Sequence, residues 1–177
     1  MGEEYGEDVP FLYFASHSDK ELIKAVQEGR RKDFEHFDWS DEPPDPQDEK
    51  TFLQSKLQWH KLKEEKHREI LDWYKQLIHL RKTHPALQNF DKRNISVTVD
   101  GQMLILHRRS VSHKEELIAL FNFSGDKSYS FEFPAGSNWK KLIDSSEKLT
   151  QLVTVSANEK ISVPGLTIVV YENTLLP

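Results

Sequence analysis

The sequence contains no cysteine, which excludes disulfides, thiolate zinc sites and a thiol nucleophile together, and permits a reducing compartment. No apolar run approaches the roughly 20 residues that span a bilayer. The first residues are acidic where a secretory leader requires a basic start. Met1-Gly2 is followed by Gly6 where N-myristoylation requires Ser or Thr. With 24 Lys and Arg against 29 Asp and Glu, a net charge of −5, the chain also lacks the basic stripe with interleaved aromatics that tracks a phosphate backbone. No nucleic-acid and no membrane partner is expected, a neutral, hydroxyl-rich or apolar one is, and the expected location is cytoplasmic.

What is present is a chain of 177 residues, 37% apolar and 30% charged, with ten Phe, five Tyr and four Trp. That composition is globular and large enough for one ordinary domain or two small ones. Acids gather at the front: residues 1–50 carry fifteen against six basic residues. The run Val9, Pro10, Phe11, Leu12, Tyr13, Phe14, Ala15 reads as a strand buried beside neighbours that precede it, so a missing upstream portion is expected.

Ser18-Asp19-Lys20-Glu21 fits a capping box with Ser18 as the cap, opening a helix through Leu22, Ile23 and Val26 towards Phe34 and Phe37, with Gly29 a place for a bend. Pro43, Pro44 and Pro46 forbid helix in the acidic loop that follows. A short helix is predicted after Asp48, carrying Phe52, Leu53, Leu57 and Trp59. A long one follows, with Ile70, Trp73, Tyr74, Leu77, Ile78 and Arg81 at helical spacing and Pro85 past its end.

From Asn94 the period changes to two. "ISVTV", "MLILHRR", "ELIALFNF", "YSFEF", "WKKLI", "LVTVS", "KISV" and "LTIVVYE" read as eight short strands, broken at Asp100-Gly101, Ser124-Gly125-Asp126, Pro134-Ala135-Gly136 and Pro164-Gly165. The pattern predicts an antiparallel sandwich and places a division near residue 92.

Among candidate site residues, Glu3 and Glu4 invite a two-carboxylate mechanism. Retaining glycosidases need the pair about 5–5.5 Å apart, whereas neighbours on an extended chain point to opposite faces. One of them, with Tyr5, can line a sugar site; a structural ion pair is the equal alternative. His36, His60, His67, His79 and His84 show no metal-ligand spacing, and Asp41, Glu42, Asp45 and Asp48 lack the alternation and turn glycine of a calcium loop. No metal and no cofactor is expected. Ser18 between His17 and Asp19 reads as a cap, not a triad member. Trp39, Trp59 and Trp73 read as core, and Trp139, near the turn after Gly136, as the exposed exception. A stand-alone carbohydrate-binding module presenting Trp139 or Tyr129 to a glucan is one alternative, and a scaffold docking on a separate barrel another.

"MGEEYGEDVPFLYFASHSD" resembles the segment at and after the eighth barrel strand of α-amylase-superfamily glycoside hydrolases. "ILDWYKQLIHLRKTHPAL" is similar to their last barrel helix, and the strands after it to their C-terminal β-domain. "ELIKAVQEGRRKDFEHF" with "PPDPQDEKTFLQSKLQW" resembles one branch, the maltooligosyltrehalose trehalohydrolases, with branching enzymes the nearest alternative. The resemblance implies an α+β chain: residues 1–92 as the last strand and helices of a (β/α)8 barrel, residues 93–177 as an all-β sandwich. It implies hydrolysis of the α-1,4 bond next to a terminal trehalose, by an Asp, a Glu and a further Asp that all lie upstream of "GEEYG", so that no catalytic residue falls in this chain. It implies Glu3, Glu4 and Tyr5 as substrate contacts at the barrel mouth, for an α-glucan or maltooligosyltrehalose bound through the missing barrel. The chain alone is then expected to be inactive, and to self-associate through the uncovered face of Phe11, Phe14, Ile70, Tyr74 and Leu77.

Overall fold

A computed structural model describes residues 1–34, 43–147 and 151–174. The chain is α+β, with four helices and eight strands among the described residues. It divides into two compact units, Met1–Tyr74 and Lys75–Pro177.

The first unit opens with a 3₁₀ turn, Glu3–Tyr5, and residues 7–19 then run without regular structure. The strand expected at Val9–Ala15 is absent. Its backbone is claimed otherwise: the Leu12 N–H donates to Ser55 Oγ at 3.3 Å and the Ala15 N–H to the Pro46 carbonyl at 2.9 Å. An apolar run becomes a strand only where a ladder is offered, and none is offered to it among the described residues. Helix α1 (Lys20–Phe34) follows. Its cap is Asp19, not Ser18: the carboxylate accepts from the N–H groups of Glu21 at 2.8 Å and Leu22 at 3.1 Å, the ordinary work of an N-cap side chain. Gly29 sits inside the helix without breaking it. Phe37, Trp39, His36, Asp41 and Glu42 lie outside the described residues.

Helix α2 (Glu49–Gln54) starts where expected, with Asp48 accepting from the Lys50 N–H, and a 3₁₀ turn, Trp59–Lys63, leads on. Helix α3 (Glu65–Thr83) contains the boundary between the units.

In the second unit, His84 caps the short α4 (Pro85–Gln88), its Nδ1 accepting from the Ala86 N–H at 3.2 Å, with Pro85 in the first turn, where a missing N–H costs nothing. The strands are β1 (Ile95–Asp100), β2 (Met103–Arg109), β3 (Glu115–Asn122), β4 (Tyr129–Glu132), β5 (Trp139–Asp144), β6 (Thr154–Val155), β7 (Lys160–Val163) and β8 (Thr167–Thr174). Six form an antiparallel sheet in the order β1-β2-β3-β8-β5-β6, and β4 and β7 pair separately. A bulge interrupts the β5–β8 register between Lys141 and Ile143.

Both faces of β3 are buried. Ile118 and Leu120 join the core with Phe133, Trp139 and Tyr171. Leu117 lies opposite Glu172, and Glu172 meets His84 at 3.6 Å, so the other face of the sheet is the one nearer α4.

Candidate functional site

The segment around Glu3–Tyr5 is built by two glycines in the left-handed region. Gly2 has φ 77° and Gly6 φ 67°. Neither tolerates a side chain: a Cβ on Gly2 would meet Glu7 Cβ at 2.6 Å, and one on Gly6 would meet Ile70 Cδ1 at 2.6 Å. The turn closes through the Tyr5 and Glu7 N–H groups, which both donate to the Gly2 carbonyl.

Tyr5 is turned inward, 1% exposed. Its ring meets Trp59 at 5.8 Å and the edge of His67 at 6.5 Å, and the His67 Nδ1–H donates to the Tyr5 carbonyl at 2.8 Å.

Glu7 is the hub of this loop. Its carboxylate accepts from the Gln58 N–H at 2.6 Å, the Tyr5 hydroxyl at 3.0 Å, and the N–H groups of Asp8 at 3.0 Å and Val9 at 3.3 Å. Lys61 lies at 3.4 Å from Glu7 and also pairs with Asp8. Burial pushes the Glu7 pKa up, but the hydrogen bonds, led by that of Gln58, outweigh it and hold the value at about 2. The Asp8 carboxylate raises the Lys61 pKa against burial.

In the unfolded chain Glu7 takes up a proton near its ordinary value of 4.5, while in the folded loop it stays ionised to about 2. The stabilisation is therefore full above about pH 4.5 and is lost as pH falls through about 2. Amide exchange at Gln58 and Val9, taken relative to the intrinsic rate at each pH, is expected to speed up as pH falls across that window in the native chain. In Glu7→Gln it should be fast already at pH 6, with no acid-dependent step attributable to this loop.

Of the predicted contacts, Glu3 and Glu4 are exposed and lie on a 3₁₀ turn, not on an extended chain, so the argument from opposite faces does not hold there. The Tyr74 hydroxyl donates to Glu3 Oε1 at 2.7 Å. Tyr5 offers no free ring face in this arrangement. Glu7, Lys61 and Gln58, which fix the loop, had no sequence signal: they meet across more than fifty residues.

Two expectations about tryptophan are reversed. Trp139 is 1% exposed and lies in the core, 5.7 Å from the Phe133 ring, whereas Trp59 is 60% exposed. The module reading that presents Trp139 to a glucan fails on that burial. Tyr129, its other proposed contact, is half-buried and its hydroxyl accepts from the Gln102 N–H at 3.1 Å.

Among the histidines, His84 is buried. Burial lowers its pKa against the opposing pull of Glu172 and Glu115. With His79 and Glu172 it lines a shallow cleft in the second unit. No group of three or more metal-ligating side chains converges among the described residues, and no described helix is long and apolar enough to cross a membrane.

No family model matches the chain. Curated relatives do. The malto-oligosyltrehalose trehalohydrolase of Brevibacterium helvolum is 42% identical over 113 residues, 63% of this chain and 19% of that protein. That of Deinococcus radiodurans is 37% identical over 128 residues, 71% and 21% respectively. That of Saccharolobus solfataricus is 45% identical over 105 residues, 57% and 17%.

Among solved structures, a Salmonella typhimurium protein provisionally named an alpha amylase matches 98% of this chain with 27% of its own, at 26% identity and a TM-score of 0.73. A trehalulose synthase, MutB, matches over 98% of this chain at 16% identity and a TM-score of 0.52, a likeness of fold alone. The chain spans about a fifth of the length of the curated relatives it matches. Over the matched residues it is a homologue of part of the malto-oligosyltrehalose trehalohydrolases.

Proposed function

We propose that this chain is the C-terminal portion of a maltooligosyltrehalose trehalohydrolase, supplying one wall of a substrate site whose catalytic carboxylates lie on other parts of the enzyme. The observation that carries this reading is identity of 37% to 45% to relatives of that one name, confined to about a fifth of their length. Residues 1–92 then belong with the helices of the barrel, and residues 93–177 form a β-sandwich in which the six-stranded sheet faces the β4–β7 pair. Glu3 and Glu4, exposed on a turn locked by Glu7, are the substrate contacts, and Tyr5 holds that turn in place. The reaction is hydrolysis of the α-1,4 bond beside a terminal trehalose through a carboxylate pair and a glycosyl-enzyme intermediate.

The exposed side chains of Phe11, Phe14 and Leu77 support self-association of the chain when it is on its own. They also support the view that it works beside the rest of a barrel.

A chimera tests the proposal. The matching segment of the Deinococcus radiodurans enzyme is replaced by this chain, and trehalose release from maltooligosyltrehalose is measured beside the chain alone. The chimera is expected to turn over within about tenfold of its parent, a transition-state cost of about 1.4 kcal/mol, and the isolated chain not at all. A folded but inactive chimera, or turnover by the isolated chain, would overturn the reading.

A further inference from the structure

We infer that Trp59 is a stacking platform for a glucosyl ring of an α-glucan, held ready by the Gly2–Asp8 loop; this rests on the function proposed above and names a contact for it. Trp59 combines two properties seldom found together in a side chain that serves only packing. It is 60% exposed, yet its surroundings are fixed. The preceding Gln58 N–H is bound to the buried Glu7 carboxylate at 2.6 Å. Lys61, two residues on, is tied to Glu7 and Asp8. The Tyr5 ring lies beside the indole at 5.8 Å.

Trp139, a tryptophan that packs in the core, is enclosed. An indole left in water on a clamped backbone instead presents a flat apolar face with little ordering left to do on binding. Among other exposed aromatics of the same unit, Phe14 meets Phe52 at 5.2 Å and Arg30 lies over Tyr13, while Phe11, 74% exposed, sits on a segment without regular structure.

A pyranose ring is the ligand whose chemistry fits. It has an apolar C–H face to lie on the indole and a rim of hydroxyls that need acceptors. Glu3 and Glu4 stand exposed on the turn that carries Tyr5, and the Tyr74 hydroxyl fixes Glu3 at 2.7 Å. Those carboxylates accept from hydroxyls and repel anionic ligands, so a neutral glucan is selected over a phosphorylated or uronic sugar.

The test is calorimetric titration of the 177-residue chain with maltoheptaose, comparing wild type, Trp59→Ala, Trp59→Phe and a control, Phe90→Ala, which removes an exposed ring of the second unit. Saturation transfer from indole protons to the sugar is recorded in parallel. Trp59→Ala is expected to weaken binding by at least about tenfold, or about 1.4 kcal/mol, Trp59→Phe by less, and Phe90→Ala not at all. The transfer signal should be lost in Trp59→Ala.

Unchanged binding by Trp59→Ala, or no saturable binding by wild type at millimolar sugar, would overturn the inference. If Trp59→Ala does not fold, an unaltered affinity in Trp59→Phe together with no indole-to-sugar transfer in wild type overturns it equally. Failure here with an active chimera would leave the proposed reaction standing. Trp59-dependent binding with an inactive chimera would remove the reaction and leave a glucan-binding surface.

Discussion

Trp139→Ala is expected to destabilise the second unit by about 3–5 kcal/mol, the range for emptying a large buried aromatic site. The indole is 1% exposed and sits among Phe133 at 5.7 Å, His107 at 6.2 Å and, through Phe133, Tyr171. These rings come from different strands and from the β4–β5 connection, so the cavity has walls on several sides and cannot close by moving one of them. The indole N–H has no hydrogen-bond partner among the described residues, so the loss is one of packing and not of a polar contact. Trp139→Phe should then recover most of the stability, at a cost of about 1–2 kcal/mol for the smaller ring. Urea denaturation followed by far-ultraviolet dichroism checks both. A Trp139→Ala variant that unfolds at the wild-type midpoint would contradict the core described above.

Asn122→Leu is the second large effect, about 2–3 kcal/mol in the same assay. Asn122 is buried at the end of β3. Its Nδ2 donates towards the carbonyls of Lys127 at 2.7 Å and of Val163 and Pro164 at 2.9 Å, and its Oδ1 accepts from the Ser124 N–H at 2.9 Å. One amide thereby ties the end of β3 to the turn after it and to the connection from β7 to β8. Leucine has nearly the same size but strands those backbone groups away from water, and each unsatisfied group costs about 1–3 kcal/mol. Asn122→Asp should be worse than its small change of shape implies, because a carboxylate donates nothing to three carbonyl oxygens. A Leu variant as stable as wild type would mean that water reaches these groups.

Much of the second unit was readable in the sequence. Met103–Arg109 and Lys160–Val163 were delimited to the residue, because alternation and turn chemistry at Asp100-Gly101 and Pro164-Gly165 point the same way there. Helix α3 was equally plain from its period.

The opening segment was not. An unbroken apolar run has no period, and whether it pairs depends on what lies beside it. Its N–H groups went to a serine side chain and a proline carbonyl more than thirty residues away. Trp139 was misplaced because its position after a turn says nothing of Phe133 and Tyr171 closing over it. At the candidate site Glu3, Glu4 and Tyr5 were visible as a short motif, but Glu7, Gln58 and Lys61 come together only in three dimensions.

The bulge in β5 carries a consequence of its own. Lys141 and Asp144 are three apart, and in an unbroken strand an odd separation puts two side chains on opposite sides of the sheet. Yet Lys141 Nζ lies 3.1 Å from Asp144 Oδ2, and both residues are buried. The extra residue, Leu142, reverses the parity, so that Lys141 opposite Tyr171 and Asp144 opposite Val169 share one side. Were β5 to run through Leu142 in regular register, with no bulge, every charged group would be kept and the acid would still lie on the far side of the sheet from its lysine.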